Sequence, residues 1–147
     1  MKILTDQYLA GLFDGEGSVT VVKYHPKYSP NRLHYVLRVH IANTNKELMD
    51  LLVENLGGFY RSAQGKKEWK VDYQWALSAD KAFRFLKSIY PHLVIKQKQA
   101  DVAFEFINFR KNNVVVKKKF GTSIEFLQQY ELYYMQMKKL NQRGVII

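Results

Sequence analysis

Tyr8-Leu-Ala-Gly-Leu-Phe-Asp-Gly-Glu-Gly-Ser18 is the stretch on which the fold turns. Thr5 stands just before it as a natural N-cap, so a helix is predicted from Thr5 to Asp14. Gly11 and Gly15 lie four residues apart, with Leu9 and Ala10 nearby. Glycine costs about 1 kcal/mol relative to alanine inside a helix, so two at this spacing need a reason. Close approach of another helix supplies one, either within the chain or from a second copy. Asp14 and Glu16 then fall at the helix C-terminus, where unpaired carbonyls already carry partial negative charge. Two copies packed side by side would bring their carboxylates together. Hard cations would have to sit between them, and oxygen ligands of this kind suit Mg²⁺.

The rest of the chain is organised around this helix. Gly17–Tyr24 and Leu33–Ala42 alternate as strands about a polar tip punctuated by Pro26 and Pro30. In the second strand Tyr35, Leu37, Val39 and Ile41 share one face, while His34, Val36, Arg38 and His40 share the other. Thr44-Asn-Lys-Glu47 has capping-box spacing and opens a helix carrying Leu48, Leu51, Leu52 and Leu56 as far as Gly57. A second hairpin runs from Phe59 to Gln64, around Gly65-Lys66-Lys67, and back from Glu68 to Leu77. Ser78 is the expected cap of a third helix ending before Pro91; Ala100, Ala103, Phe104 and Ile107 mark a fourth. Thr122-Ser-Ile-Glu125 starts a last helix with Leu127, Tyr130, Tyr134 and Met137 as packing residues. Strands apolar on one face only predict an antiparallel sheet with helices packed on that face.

The chain's 147 residues suit one domain, 1–147, and contain no cysteine, which excludes disulfides and thiol chemistry. His25, His34, His40 and His92 show no metal-ligand spacing. No apolar run is long enough to span a membrane and no secretory leader is recognisable, so an intracellular protein is expected, without a membrane partner. Lys and Arg number 23 against 13 Asp and Glu, a net charge of +10. Nucleic acid is the usual partner of such an excess. The charge is uneven: residues 1–22 hold Asp6, Asp14 and Glu16 against Lys2 alone. An acidic focus in a basic chain suggests a metal site within an anion-binding surface.

Leu9-Ala-Gly-Leu-Phe-Asp-Gly-Glu-Gly17 resembles the nine-residue motif of the LAGLIDADG homing endonucleases. The αββαββα order extends the resemblance over about residues 4–110, and Lys96-Gln-Lys-Gln-Ala100 is similar to the segment that supplies an active-site lysine in single-motif members. The resemblance implies an α+β fold with a saddle-shaped antiparallel sheet, helices on one face and two further C-terminal helices. The motif helix would sit at a homodimer interface formed by Leu9, Ala10, Gly11, Phe13, Asp14 and Gly15, because one motif per chain requires two chains for cleavage. It further implies Mg²⁺ or Mn²⁺ as cofactor, with Glu16 as the metal-binding acid and the Gly15 carbonyl beside it. Asp14 would be mainly structural. Lys96 would stabilise transition-state charge or polarise the attacking water, with Asn43 holding the water network and Lys46 as a second basic residue.

By the same resemblance the hairpins would lie in the major groove of double-stranded DNA, which admits a two-stranded ribbon. Thr20, Tyr24, Lys27, Arg32, His34, Arg38 and His40 would come from the first hairpin, and Lys66, Lys67, Lys70, Asp72 and Gln74 from the second. Lys111 and the Lys117-Lys118-Lys119 run would contact the phosphate backbone. The alternatives are a maturase that holds intron RNA on the same fold, or a DNA-binding protein that does not cut. A basic ribosome-associated protein is a further rival, but it leaves the acids beside the glycines unexplained.

Overall fold

In the computed structural model, which describes residues 2–63, 71–113 and 124–142, the motif stretch is helix α1 (Asp6–Glu16). The Thr5 hydroxyl accepts from the Tyr8 N–H at 3.1 Å, the cap expected from sequence. Asn55 holds the chain just before it, accepting from the Leu4 N–H and donating to the Lys2 carbonyl, both at 3.0 Å. The helix runs directly into strand β1 (Gly17–Tyr24). Only glycine fits that junction: a Cβ on Gly17 would lie 2.3 Å from the Phe13 ring.

Strand β2 (His34–Asn43) returns antiparallel to β1 and is followed by α2 (Lys46–Leu56), β3 (Phe59–Ala63), β4 (Asp72–Ser78) and α3 (Ala79–Ile89). A short 3-10 turn, Tyr90–His92, leads to α4 (Gln97–Asn112), and α5 (Ile124–Leu140) closes the described chain. The sheet is open and antiparallel throughout, in the order β1-β2-β4-β3. Its inner face carries Val19, Val21, Tyr35, Leu37, Val39, Ile41, Trp75 and Leu77, all buried against the helices. Phe85 of α3 meets Phe13 and Trp75 edge-on, at centroid distances of 5.4 and 5.6 Å. Because β1 is an edge strand, its unpaired backbone needs cover. Helix α5 provides it: Asn141, just beyond its end, donates to the Val19 carbonyl at 2.7 Å, and Glu131 accepts from Lys23 and from the Tyr35 hydroxyl.

Two helix starts differ from the sequence expectation. Asn45, not Thr44, caps α2, accepting from the Leu48 N–H at 3.1 Å, while Asn43 accepts from the Asn45 N–H at 2.8 Å. The Asx turn made by Asn43 moves the helix start one residue along. Ser78 occupies the N-cap position of α3 but makes no capping bond; its hydroxyl accepts instead from Arg38 Nε at 3.3 Å on the outer sheet face. The chain turns into α3 through Ala79 at φ +54, a left-handed conformation that costs a non-glycine residue energy. At the end of α2, Gly57 and Gly58 take φ near +80 and let Trp75 Nε1 donate to the Gly57 carbonyl at 2.9 Å.

Candidate nucleic-acid interface and acidic helix end

The outer sheet face follows from strand alternation and register. Ser18, Thr20, Val22 and Tyr24 of β1 lie opposite His40, Arg38, Val36 and His34 of β2. Arg38, His40 and Ala42 in turn lie opposite Ser78, Ala76 and Gln74 of β4, and Phe59, Arg61 and Ala63 of β3 line up with Ala76, Gln74 and Asp72. Of the predicted DNA-binding set, the structure thus gathers Thr20, Tyr24, His34, Arg38, His40, Asp72 and Gln74 on one surface. Lys27 and Arg32 extend from its end on a tip held by backbone turns, Ser29 N–H to Pro26 O and Arg32 N–H to Ser29 O, each at 3.0 Å. Lys111 stands apart on α4, its ammonium over the Phe83 ring and 4.0 Å from Asp80. Lys66, Lys67, Lys70 and Lys117, Lys118, Lys119 lie outside the described residues.

Sequence reasoning missed two members of this surface and one residue of the helix layer that reaches β2. Ser18 and Arg61 face outward with the array, and the alternation Tyr60-in, Arg61-out was readable once Tyr60 is placed inward against Trp75. Arg110, on α4, donates to the Tyr35 carbonyl at 2.7 Å and sits close enough to His34 to lower its basicity; only tertiary packing brings it there.

The polar side chains of the face are held loosely. Ser18 Oγ and His40 Nδ1 are 3.4 Å apart, and Thr20 Oγ1 donates to the Arg38 carbonyl at 3.4 Å. Bonds this long are weak, so these side chains can exchange them for other polar partners at little cost. Burial, reinforced by Arg38 and Arg61, holds His40 below the ordinary imidazole range; burial with Arg110 and Arg32 does the same for His34. Both rings are therefore neutral near pH 7, each with one donor and one acceptor nitrogen.

At the end of α1 the two motif acids part company. The half-buried Asp14 carboxylate accepts three consecutive backbone N–H bonds at the start of α4, from Val94 at 2.8 Å, Ile95 at 3.2 Å and Lys96 at 3.1 Å. The Lys96 ammonium donates to the Asp14 main-chain carbonyl at 2.8 Å, and burial lowers its basicity. Glu16 is exposed and forms no ion pair among the described residues. Asn43 and Lys46 are engaged at the start of α2: Asn43 through its turn, Lys46 through an exposed 3.2 Å ion pair with Asp50. Lys46 has to leave Asp50 before it can serve a phosphate.

The interface set needs correction. Leu9, Ala10 and Phe13 are at most 1% exposed within the single chain, so these three belong to its own core. The helix face left outside carries Tyr8, Gly11 and Gly15, and a Cβ built on either glycine meets nothing within 4 Å among the described residues. Among those residues no internal helix–helix contact explains the glycines. Nor do three His, Asp or Glu side chains converge anywhere among the described residues. Glu16 and nearby main-chain carbonyls are the right donors for a hard divalent cation, but one chain offers too few. They fit such an ion when a second chain contributes an equal set.

The fold is thus an α+β unit with helices on one face of an open antiparallel sheet, a polar outer face, and an exposed acid at the end of a helix whose last carbonyls hold a lysine. The chain belongs to the LAGLIDADG endonuclease family, whose model matches residues 9–112. Solved structures share the fold. Among them are the homing endonuclease I-CvuI in complex with the I-CreI target (TM-score 0.72, 16% identity, 97% of this chain and 85% of that one) and the archaeal intron-encoded homing endonuclease I-Vdi141I with DNA (0.73, 19%, 95% and 86%). The I-SmaMI endonuclease bound to cleaved DNA matches with a TM-score of 0.70 and 16% identity, over 93% of this chain and 45% of its own. No curated protein sequence matches.

Proposed function

We propose that this chain is a site-specific homing endonuclease that acts inside the cell as a homodimer. It cuts both strands of a long, pseudo-palindromic double-stranded DNA site by metal-dependent phosphodiester hydrolysis. The observation that carries the reading is the end of α1: an open glycine face terminating in exposed Glu16, with the Lys96 ammonium 2.8 Å from the Asp14 carbonyl. Pairing two such faces sets two Glu16 carboxylates and two Gly15 carbonyls around a common axis, and a two-fold protein matches a palindromic site. Solved relatives in complex with DNA, crystallised with Mg or Ca, support the partner and the divalent cation. When bound, Mg²⁺ or Mn²⁺ supplies an activated water and stabilises charge on the reacting phosphate. Glu16 holds the ion, and Lys96, less basic than a free lysine, sits where it can order that water or offset developing negative charge. The outer sheet face orients the duplex through Arg38, Arg61, Gln74 and the two histidines.

Sedimentation of the purified protein, with metal-free binding and Mg²⁺-dependent cleavage of the intron-less form of its host locus, tests the reading. A dimer that linearises this DNA only with Mg²⁺ is expected, and Glu16→Gln should abolish cutting while binding persists. A Glu16→Gln variant that cuts at the wild-type rate would overturn the site assignment. A dimer that binds but never cuts would point instead to a maturase or regulator on this fold.

A further inference from the structure

The geometry assigns to Asp14 a positioning role in the reaction: its carboxylate clamps the segment entering α4 onto the end of α1 and thereby sets where the Lys96 ammonium stands at the helix end that carries Glu16. This rests on the endonuclease reading above. Three successive N–H groups, those of Val94, Ile95 and Lys96, converge on one carboxylate. Packing holds this segment at its flanks, through buried Leu93 and Ala100, but not between them, where the Val94 and Ile95 side chains are 84% and 67% exposed. Lys96 occupies the N-cap position of α4 and offers no side-chain cap; Asp14 instead fixes the three amides that lead into the helix, up to that of Lys96 itself.

The clasp is reciprocal. Helix α1 has no basic residue in its last turn, and its terminal carbonyls receive their cation from Lys96. The negative charge of Asp14 at a helix C-terminus, unfavourable by itself, is offset by the positive N-terminal end of α4. Two acids two residues apart thus do different jobs: Asp14 is spent on the scaffold and Glu16 faces out. With the carboxylate gone, three N–H groups lose their acceptor and the Lys96 backbone is free to shift. A displacement of the order of 1 Å at a group serving the reaction costs about 100-fold in rate.

The experiment compares wild type, Asp14→Ala, Asp14→Asn, Lys96→Met and the Asp14→Ala/Lys96→Met double variant. The readouts are single-turnover cleavage with Mg²⁺, metal-free binding to the target duplex, and backbone amide exchange. Asp14→Ala should slow cleavage about 100-fold at unchanged metal-free affinity, and protection of the Val94, Ile95 and Lys96 amides should fall. Asp14→Asn keeps one acceptor oxygen and should lose about tenfold, a loss near 1.4 kcal/mol; it also serves if the alanine variant does not fold. Adding Lys96→Met to Asp14→Ala should cost little more, because both act through one ammonium. Wild-type cleavage by Asp14→Asn and Asp14→Ala, or full multiplication of the two single effects, overturns the positioning role. Undiminished amide protection overturns the clamp itself. A wild-type protein that never cuts refutes the endonuclease reading instead, and amide exchange still decides the clamp.

Discussion

Adding one methyl group at Gly11 and at Gly17 should move stability in opposite directions, for reasons visible in the structure. At Gly11, in mid-helix, a Cβ meets nothing within 4 Å among the described residues. Gly11→Ala should therefore gain the helix-propensity difference, about 1 kcal/mol. For a chain of this size that raises the melting temperature of the dilute monomer by about 2–4 °C. In the proposed homodimer the same substitution should weaken association, because both copies would bring a methyl into the contact between the glycine faces. At Gly17 the Cβ would lie 2.3–2.6 Å from three atoms of the Phe13 ring, which is wholly buried and packed edge-on against Phe85. Phe13 has no room to withdraw, so Gly17→Ala should lose about 1–3 kcal/mol as overpacking strain. Calorimetry of each variant, at concentrations where sedimentation shows only monomer, gives the intrafold effect. Sedimentation at higher concentration gives the interface effect. If Gly11→Ala destabilises the dilute monomer, some part of the same chain covers that face and the reasoning fails. If it dimerises as tightly as wild type, the helix face is not the contact.

The α5 anchor and the sheet histidines give two further expectations. Glu131→Gln should loosen α5 from β1 and cost about 1 kcal/mol after allowance for partial exposure, since the carboxylate accepts from Tyr35 and Lys23; a melting temperature equal to wild type would refute the anchor. The Tyr35 hydrogen bond, with help from Lys23, holds the Glu131 carboxyl below its ordinary range. Its stabilisation is therefore complete above the unfolded-state value, about 4.3, and should vanish as pH falls through the lower folded one. His40 behaves in the opposite sense: burial with Arg38 and Arg61 holds it neutral in the fold, while the unfolded chain takes up a proton near pH 6.5. Stability should thus be level above about pH 7 and decline as pH drops below about 6.5. His40→Gln should flatten that decline in thermal melts between pH 7.5 and 5, and an unchanged slope would dismiss the histidine as its source.

Much of this arrangement was legible in the chain because its signals are local. Alternation in His34–Asn43 told inner from outer face residue by residue, since a strand's side chains have a period of two and one face is buried. Thr5 and the glycine–acid sequence after Tyr8 located α1 and its acidic end. Less local features were misjudged. Leu9, Ala10 and Phe13 belong to a motif associated with dimer contact, yet a helix has only so much outward face, and these three point into the chain's own core. Ser78 sits where a cap belongs, but its hydroxyl answers Arg38 across the sheet.

The sequence by itself determined the element order, the polar face of the sheet and the acidic helix end beside unpaired glycines, because periodicity, caps and composition act over a few residues. By local pattern Asp14 and Glu16 look alike, and the family resemblance alone gave the first a structural part and the second the metal. Only the tertiary structure decided what Asp14 holds: three N–H groups from residues some eighty positions away, just before α4, converge on it, while Glu16 is left to the solvent. The placing of Arg110 beside His34 and of Lys96 against α1 has the same origin, since contacts between distant segments are fixed by packing and not by local pattern.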